Sequence, residues 1–281
     1  MQDELLKRIA EALERVSPPP ARTPIFEADA YVWEAERHHF RAVEKINAPP
    51  LSMLRGIDHA AAILLANTTQ FAAGLPANNA LLWGARGTGK SSLVKAAIKE
   101  VNAGKPHSLC LIEILHEDLK SLPALLLTLK AAPRRFILFC DDLSFEENTP
   151  DYKHLKALLD GGIEGKPENV LLYATSNRRH LMPRQMAENL ERSEIHSTEG
   201  IDEKVSLSDR FGLWLGFYHC SQPVYEEIVT HYAERFGLAL PIDNLLHQAN
   251  EWSRTRGNRS GRTAFQFIQD LAGRMGRKIE Y

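Results

Sequence analysis

Cysteine is scarce in this sequence, and the few that occur exclude more than they suggest. Only Cys110, Cys140 and Cys220 are present among 281 residues, with no metal-ligand spacing. That argues against a disulfide framework and against a cysteine-built zinc site. Cys110 and Cys140 sit inside apolar runs and read as buried free thiols of a reducing compartment. The eleven histidines contain no HxH or HxxxH pair. His38 and His39 are adjacent, so on a helix they would point to different sides and read as surface residues. No apolar run approaches the roughly 20 residues of a membrane span. Met1-Gln-Asp-Glu-Leu-Leu6 lacks the pattern of a secretory signal, so the expected location is cytoplasmic. Charge of one sign is lacking too. The net charge of −2 gives no global basic field for nucleic acid, which leaves only a local patch. Internal repeats and low-complexity tracts are absent.

What is present is ordinary globular material, 44% hydrophobic and 25% charged, enough for a packed core in one large domain or two smaller ones. Its most informative stretch is Gly84-Ala-Arg-Gly-Thr-Gly-Lys-Ser91, which fits G-x4-G-K-[S/T] without a mismatch. Gly84, Gly87 and Gly89 let backbone N–H groups turn toward a phosphate, and Thr88 lies between the last two. Lys90 can reach β- and γ-phosphates, and the Ser91 hydroxyl can ligate Mg2+. A chance match in a chain of this length has odds of roughly one in a hundred. The context sharpens it. Asn79-Ala-Leu-Leu-Trp83 reads as a buried strand before the loop, and helical periodicity starts at Ser92. A strand, this loop and a helix N-terminus make an anion site.

Around this loop the chain punctuates itself. Residues 2–16 predict an amphipathic helix, ended by Pro18-Pro-Pro20, and residues 27–46 predict a second helix rich in aromatic and charged residues. Ala48-Pro49-Pro50 marks a boundary. Asp58–Phe71 reads as helical. Strands are expected at 80–84, 108–114, 135–140, 169–175 and 212–218, and helices at 90–102, 117–130 and 150–160. Thr149 and Pro150 supply a cap and a first helical residue, and Gly161-Gly162 a stop. This alternation predicts a parallel sheet covered by helices on both faces. Residues 221–281 contain no convincing strand and read as a small helical unit. The expected division is therefore 1–50, an N-terminal helical extension; 51–220, an α/β nucleotide-binding core; and 221–281, a helical lid.

Arg135-Phe-Ile-Leu-Phe-Cys-Asp141-Asp142 is an apolar strand that ends in two acids. Ligands bind at the carboxyl ends of parallel strands, so Asp141 emerges near the phosphate loop, where it can hold Mg2+ through water. Asp142 is placed to orient or deprotonate an attacking water. Asn177 ends another buried strand; it can bond that water or the γ-phosphate, although taken alone it reads better as an Asn in a turn. Arg210 precedes the last strand and reads either as an arginine finger across a subunit interface or as a surface arginine paired with Asp209. Arg254, Arg256, Arg259 and Arg262 cluster near the C-terminus, where one can reach the nucleotide and the others form a solvated face or a phosphate contact.

In this order the elements resemble an AAA+ ATPase over about residues 51–281. Gly84–Ser91 matches Walker A, with Ser92 following it, and Phe136–Asp142 matches Walker B. The resemblance places Asn177 at sensor 1, Arg210 at the arginine finger and Gly261-Arg262 at sensor 2, at the start of a lid helix. Leu54-Arg-Gly-Ile57-Asp58 resembles the segment that contacts adenine. Residues 139–146 and 207–215 resemble a bacterial family of AAA+ ATPases known only as a domain of unknown function. The resemblance implies a P-loop fold of AAA+ type, with a parallel sheet sandwiched by helices and a helical lid. It also implies ATP and Mg2+ as ligands, self-association on ATP binding, and no membrane. One departure stands out. Asp142 is one methylene shorter than the usual glutamate, and Glu146, one helical turn on, is a rival base.

Three functions compete on this reading. A motor or remodelling ATPase comes first. Glu113-Ile-Leu-His-Glu-Asp-Leu119, where threading machines carry an aromatic–hydrophobic–glycine loop, has neither aromatic nor glycine. The compact core with a helical lid is more similar to the initiator and helicase-loader branch, which implies DNA or a DNA-bound protein as partner. A nucleotide-switched adaptor with little turnover comes second. A small-molecule kinase comes last, because such kinases lack the Arg210 and Arg262 arrangement.

Overall fold

The structure is a computed structural model that describes residues 4–5, 8, 25–144, 151–161, 165–177 and 209–280. Among these residues seven strands form one sheet: β1 (Ala30–Glu34), β2 (His39–Ala42), β3 (Ala80–Gly84), β4 (Leu109–Glu113), β5 (Arg135–Cys140), β6 (Val170–Ser176) and β7 (Leu213–Phe217). The helices are α1 (Asp58–Ala72), α2 (Lys90–Gly104), α3 (Leu122–Lys130), α4 (Asp151–Asp160), α5 (Gln222–Arg235), α6 (Ile242–Thr255) and α7 (Gly261–Arg274). The spatial order is β2-β1-β4-β5-β6-β3-β7, and every neighbouring pair is parallel except β1 and β2.

Central strands of a parallel sheet are buried on both faces, so they read as unbroken apolar runs rather than alternating ones. In β5, Phe136, Leu138 and Cys140 face one core, with Leu122, Leu125 and Leu129 of α3 and Leu155 of α4. Ile137 and Phe139 face the other, with Leu64 and Phe71 of α1 and Leu93, Val94 and Ile98 of α2. The C-terminal helices close a third core of their own around Tyr225, Phe267 and Leu271, which takes in Met53. Helices therefore cover both faces of the sheet, as the alternating pattern predicts, and a helical unit follows at the C-terminal end.

The helix expected over residues 27–46 does not form. Ala30-Tyr-Val-Trp-Glu34 is a strand, and its hairpin partner β2 follows a short 3-10 turn whose His38 has φ 46°. Tyr31, Val32 and Trp33 are β-formers, and pairing beside β4 satisfies backbone groups that a helix here would have had to satisfy internally. Ala30 lies opposite Leu111 and Tyr31 opposite Ile112. Arg134 ties the segment down by donating to Phe26 O (2.8 Å), Ala28 O (2.5 Å), Leu109 O (2.9 Å) and the Asp29 carboxylate (2.6 Å). Phe26 packs edge-on against Tyr31, Phe40 and Phe136. Of the helix expected over 2–16, only Glu4, Leu5 and Arg8 are described, all helical and exposed. The Thr149-Pro150 cap lies outside the described residues.

Candidate nucleotide site

Three strand ends build the site. β3 delivers the glycine loop, and β5 and β6 deliver polar side chains beside it. Gly84 leaves β3 at φ 127°, where a Cβ would stand 1.9 Å from Phe217 O. Only glycine permits that approach, and the neighbouring Ala85 N–H bonds the same carbonyl at 2.8 Å. Gly87 and Gly89 are also left-handed, at φ 74° and 96°. Helix α2 starts at Lys90 with Gly89 as its N-cap and no side-chain cap. Its first N–H groups are thus unpaired by side chains, and its dipole points its positive end into the loop. Thr88 Oγ1 folds back onto Ala85 O (2.8 Å).

Lys90 is a buried cation. Its ammonium donates to Gly84 O (2.9 Å), Ala85 O (2.7 Å) and Asn177 Oδ1 (3.2 Å). Burial pushes its pKa below the ordinary lysine value; the Asp142 and Asp141 carboxylates pull it back up, and Arg262 and Arg86 depress it further. One helical residue on, Ser91 Oγ donates to Asp141 Oδ1 at 2.6 Å. A hydroxyl and a carboxylate side by side are the hard oxygen donors that suit Mg2+. Among the described residues no cluster of three His, Cys, Asp or Glu side chains could cage a metal, so an ion held here would lean on phosphate and water for its other ligands.

The two acids differ in geometry. Asp141 follows the last residue of β5, while Asp142 turns away at φ 53°, an uncommon conformation for a non-glycine residue. Asn177 donates through Nδ2 to Asp142 Oδ1. One amide thus joins the loop lysine through its oxygen and the second acid through its nitrogen. Sequence reasoning misses Thr175, which by pattern is one of several polar residues at the end of a buried strand. Its hydroxyl donates to Asp141 Oδ1 (2.5 Å) and accepts from the Asp142 N–H (2.9 Å). The available signal was a hydroxyl at an inward position two residues before Asn177.

The opposite wall comes from the Leu54–Asp58 segment and the C-terminal helices. Gly56, at φ 74°, lies so close to α5 that a Cβ would stand 2.4 Å from Val224 Cγ1. Ile57 reaches Gly89, where a Cβ would lie 3.6 Å from its Cδ1. Ser260 caps α7 by accepting from Thr263 N–H (3.1 Å), and this starts the helix with Arg262 in its first turn. Arg262 N–H then donates to Gly87 O (3.2 Å), joining the helical unit to the loop. Together these walls enclose a cleft of about 1230 Å³ lined by Ile57, Ser92, Asp141, Asn177, Tyr232 and Arg262 among others.

One site expectation falls elsewhere. Arg210 does not line this cleft. It precedes β7, whose Leu213 pairs with Ala80 at the start of β3, so it lies at the sheet end opposite the loop. Its Nε bonds Asp160 Oδ1 at 2.5 Å, in place of the pairing with Asp209 considered from sequence. Glu146 lies outside the described residues. Of the arginine cluster, Arg256 stacks 3.4 Å over Trp252 and Arg259 bonds Gln222 (3.3 Å), while Arg262 alone lines the cleft. Among the described residues no helix is long and apolar enough to cross a membrane.

A family model described as "Protein of unknown function (DUF815)" matches residues 26–275. No curated protein matches the sequence. Solved structures do. A variant of RuvB from Thermotoga maritima superposes with a TM-score of 0.55 at 17% identity, over 83% of this chain and 68% of that one. The Thermotoga maritima RuvB described as a Holliday junction branch migration motor gives 0.53 at 16% identity, with the same coverage. AMPPCP-bound DnaA from Aquifex aeolicus gives 0.52 at 17% identity, over 81% of this chain and 66% of that one. At such identities the likeness is one of fold.

Proposed function

The chain belongs to the family of unknown function DUF815, and from that premise we propose that it binds ATP with Mg2+ and hydrolyses it, coupling the cycle to remodelling or loading of a macromolecular partner. The observation that carries this is the convergence of Lys90, Ser91, Asp141, Asp142 and Asn177 around one left-handed glycine loop at the end of β3. The fold shared with AMPPCP-bound DnaA supports an ATP-like ligand.

In this reading the N–H groups of Gly87, Gly89 and α2 hold the phosphates, and Lys90 moves its ammonium from backbone carbonyls to phosphate oxygens. Gly84 sets the loop's exit from the sheet. Ile57 packs on the base side. Ser91 and Asp141 hold Mg2+, whose charge, once bound, stabilises the charge that develops on the phosphates. Asp142 orients or deprotonates water, and Asn177 holds Asp142 in place. Arg262 acts in cis, because its backbone already joins its own loop at Gly87. Arg210 acts in trans or not at all, because the length of the sheet separates it from its own cleft. That requires self-association on ATP binding. The fold shared with the RuvB branch migration motor supports DNA, or a protein on DNA, as partner.

A second reading, a nucleotide-switched adaptor with little turnover, is favoured by the bond between Asn177 and Asp142. It ties up a carboxylate already one methylene short of the usual glutamate. The two are separated by ATP turnover of the purified chain with and without single- and double-stranded DNA, alongside mass measurement with an ATP analogue. DNA-stimulated turnover and a larger mass with the analogue support the motor. Tight binding without turnover supports the switch, and absence of nucleotide binding overturns both.

A further inference from the structure

We propose that Thr175 is the positioning residue that sets both acids of the site with one hydroxyl. The inference rests on the nucleotide reading above and deepens it. Thr175 is 1% exposed. Its Oγ1 proton goes to Asp141 Oδ1 (2.5 Å), the same oxygen that accepts from Ser91 (2.6 Å). Its Oγ1 lone pair takes the N–H of Asp142 (2.9 Å), and its own carbonyl takes the N–H of Leu143 (2.7 Å).

Each bond has a separate consequence. The first fixes which oxygen of Asp141 faces Ser91 and leaves the other free to face an ion. The second and third pin two successive amides of the turn after β5. They hold Asp142 at φ 53°, a conformation that costs a non-glycine residue energy unless its surroundings enforce it. With the turn so held, Asp142 reaches Asn177 and, through it, Lys90. A hydroxyl is the smallest group that both donates and accepts, so valine, of the same shape, fills the space and loses both bonds. Serine keeps both and loses only a methyl group.

The test compares the full chain with Thr175→Val and Thr175→Ser. The readouts are binding of a fluorescent non-hydrolysable ATP analogue across an Mg2+ titration, ATP turnover, and thermal melting. Groups that orient metal ligands typically cost 10- to 100-fold in metal affinity or activity when removed. Thr175→Val is expected to need about tenfold more Mg2+ for the same tightening, to lower kcat rather than raise KM, and to bind the analogue without Mg2+ as the parent does. Thr175→Ser is expected to follow the parent in all three. A valine variant with parental Mg2+ dependence and turnover overturns the proposal. So does a serine variant as impaired as valine, which would make the methyl group and its packing the reason. If valine melts far below the parent, the serine variant decides alone by the same criterion. A parent whose analogue binding ignores Mg2+ overturns the reading of the site itself, and that failure is recognisable because it appears with no substitution made.

Discussion

Replacing Lys90 by methionine separates what this lysine does for a ligand from what it does for the fold. In the folded chain its ammonium is buried against Gly84 O, Ala85 O and Asn177. Hydrogen bonds to charged groups contribute about 1.5–3 kcal/mol each. Losing one or two to phosphate should cost about 2–4 kcal/mol, roughly 30- to 700-fold in Kd for ATP. The fold should hardly notice. Methionine keeps the apolar stem, and the desolvation cost that depresses the Lys90 pKa disappears. Against this, Gly84 O loses a donor, at about 1–3 kcal/mol, while Ala85 O keeps Thr88. The two effects oppose, which leaves the melting temperature within roughly 2–4 °C of the parent. The pH profile gives an independent check. Phosphate binding needs the protonated amine, so parental affinity is full below the folded-state pKa of Lys90 and falls as pH rises through it. Because that pKa is lowered, the fall begins at lower pH than an ordinary lysine would give. For stability the sign is the reverse of a stabilising pair: the folded form holds this proton less tightly than the unfolded one. The charge therefore opposes folding below the folded-state pKa, and the opposition fades as pH rises above it. Calorimetric titration with ATP and a melting curve at several pH values read both. An unchanged Kd would refute the phosphate role, and a collapse of the melting temperature would make Lys90 a structural keystone instead.

Asp142→Asn should keep ATP binding and stability, since Asn tolerates φ > 0, and should lower kcat by about a hundredfold or more; equal turnover in a steady-state phosphate assay would remove Asp142 as base. Arg210→Ala should bind ATP normally and lose about a thousandfold in turnover, and mixing it with the Lys90→Met chain should restore part of it; turnover at the parental rate in the unmixed variant would end the trans assignment. The thiols of Cys110 and Cys140, which burial pushes up to about 12, should resist a disulfide reagent at pH 8, leaving at most Cys220 to react until guanidinium exposes all three. A fast reaction of two thiols in the native chain would place a buried strand, β4 or β5, in solvent.

The strands from β3 to β7 and the helices α1 to α3 were legible within a residue or two, apart from a 3-10 turn that takes the first residues expected of α3. Their signals are local: unbroken apolar runs, a glycine loop, helical spacing. The β1–β2 hairpin was not. Tyr31-Val-Trp33 sits among enough charge to mimic an amphipathic helix, and its strand state depends on β4 and on Arg134, more than a hundred residues away. In the site, the meeting of Ser91 with Asp141 beside Lys90 was legible, because a glycine loop after one strand and acids after another belong at the same end of a parallel sheet. Thr175 was not, because nothing in a buried strand says which hydroxyl will meet a neighbouring strand's acid.

The sequence by itself determined the loop, since glycine at 84 alone permits its approach to Phe217 and glycines at 87 and 89 take left-handed angles at no steric cost, and it determined that polar groups follow the apolar runs of β5 and β6. Only the tertiary structure decided which groups meet. Parallel pairing of β3, β5 and β6 in one register brings Lys90, Asp141, Thr175 and Asn177 within hydrogen-bond reach. The same register sends Arg210 to the far end of the sheet, because β7 runs parallel to β3 and its start lies a full strand length from where the loop begins.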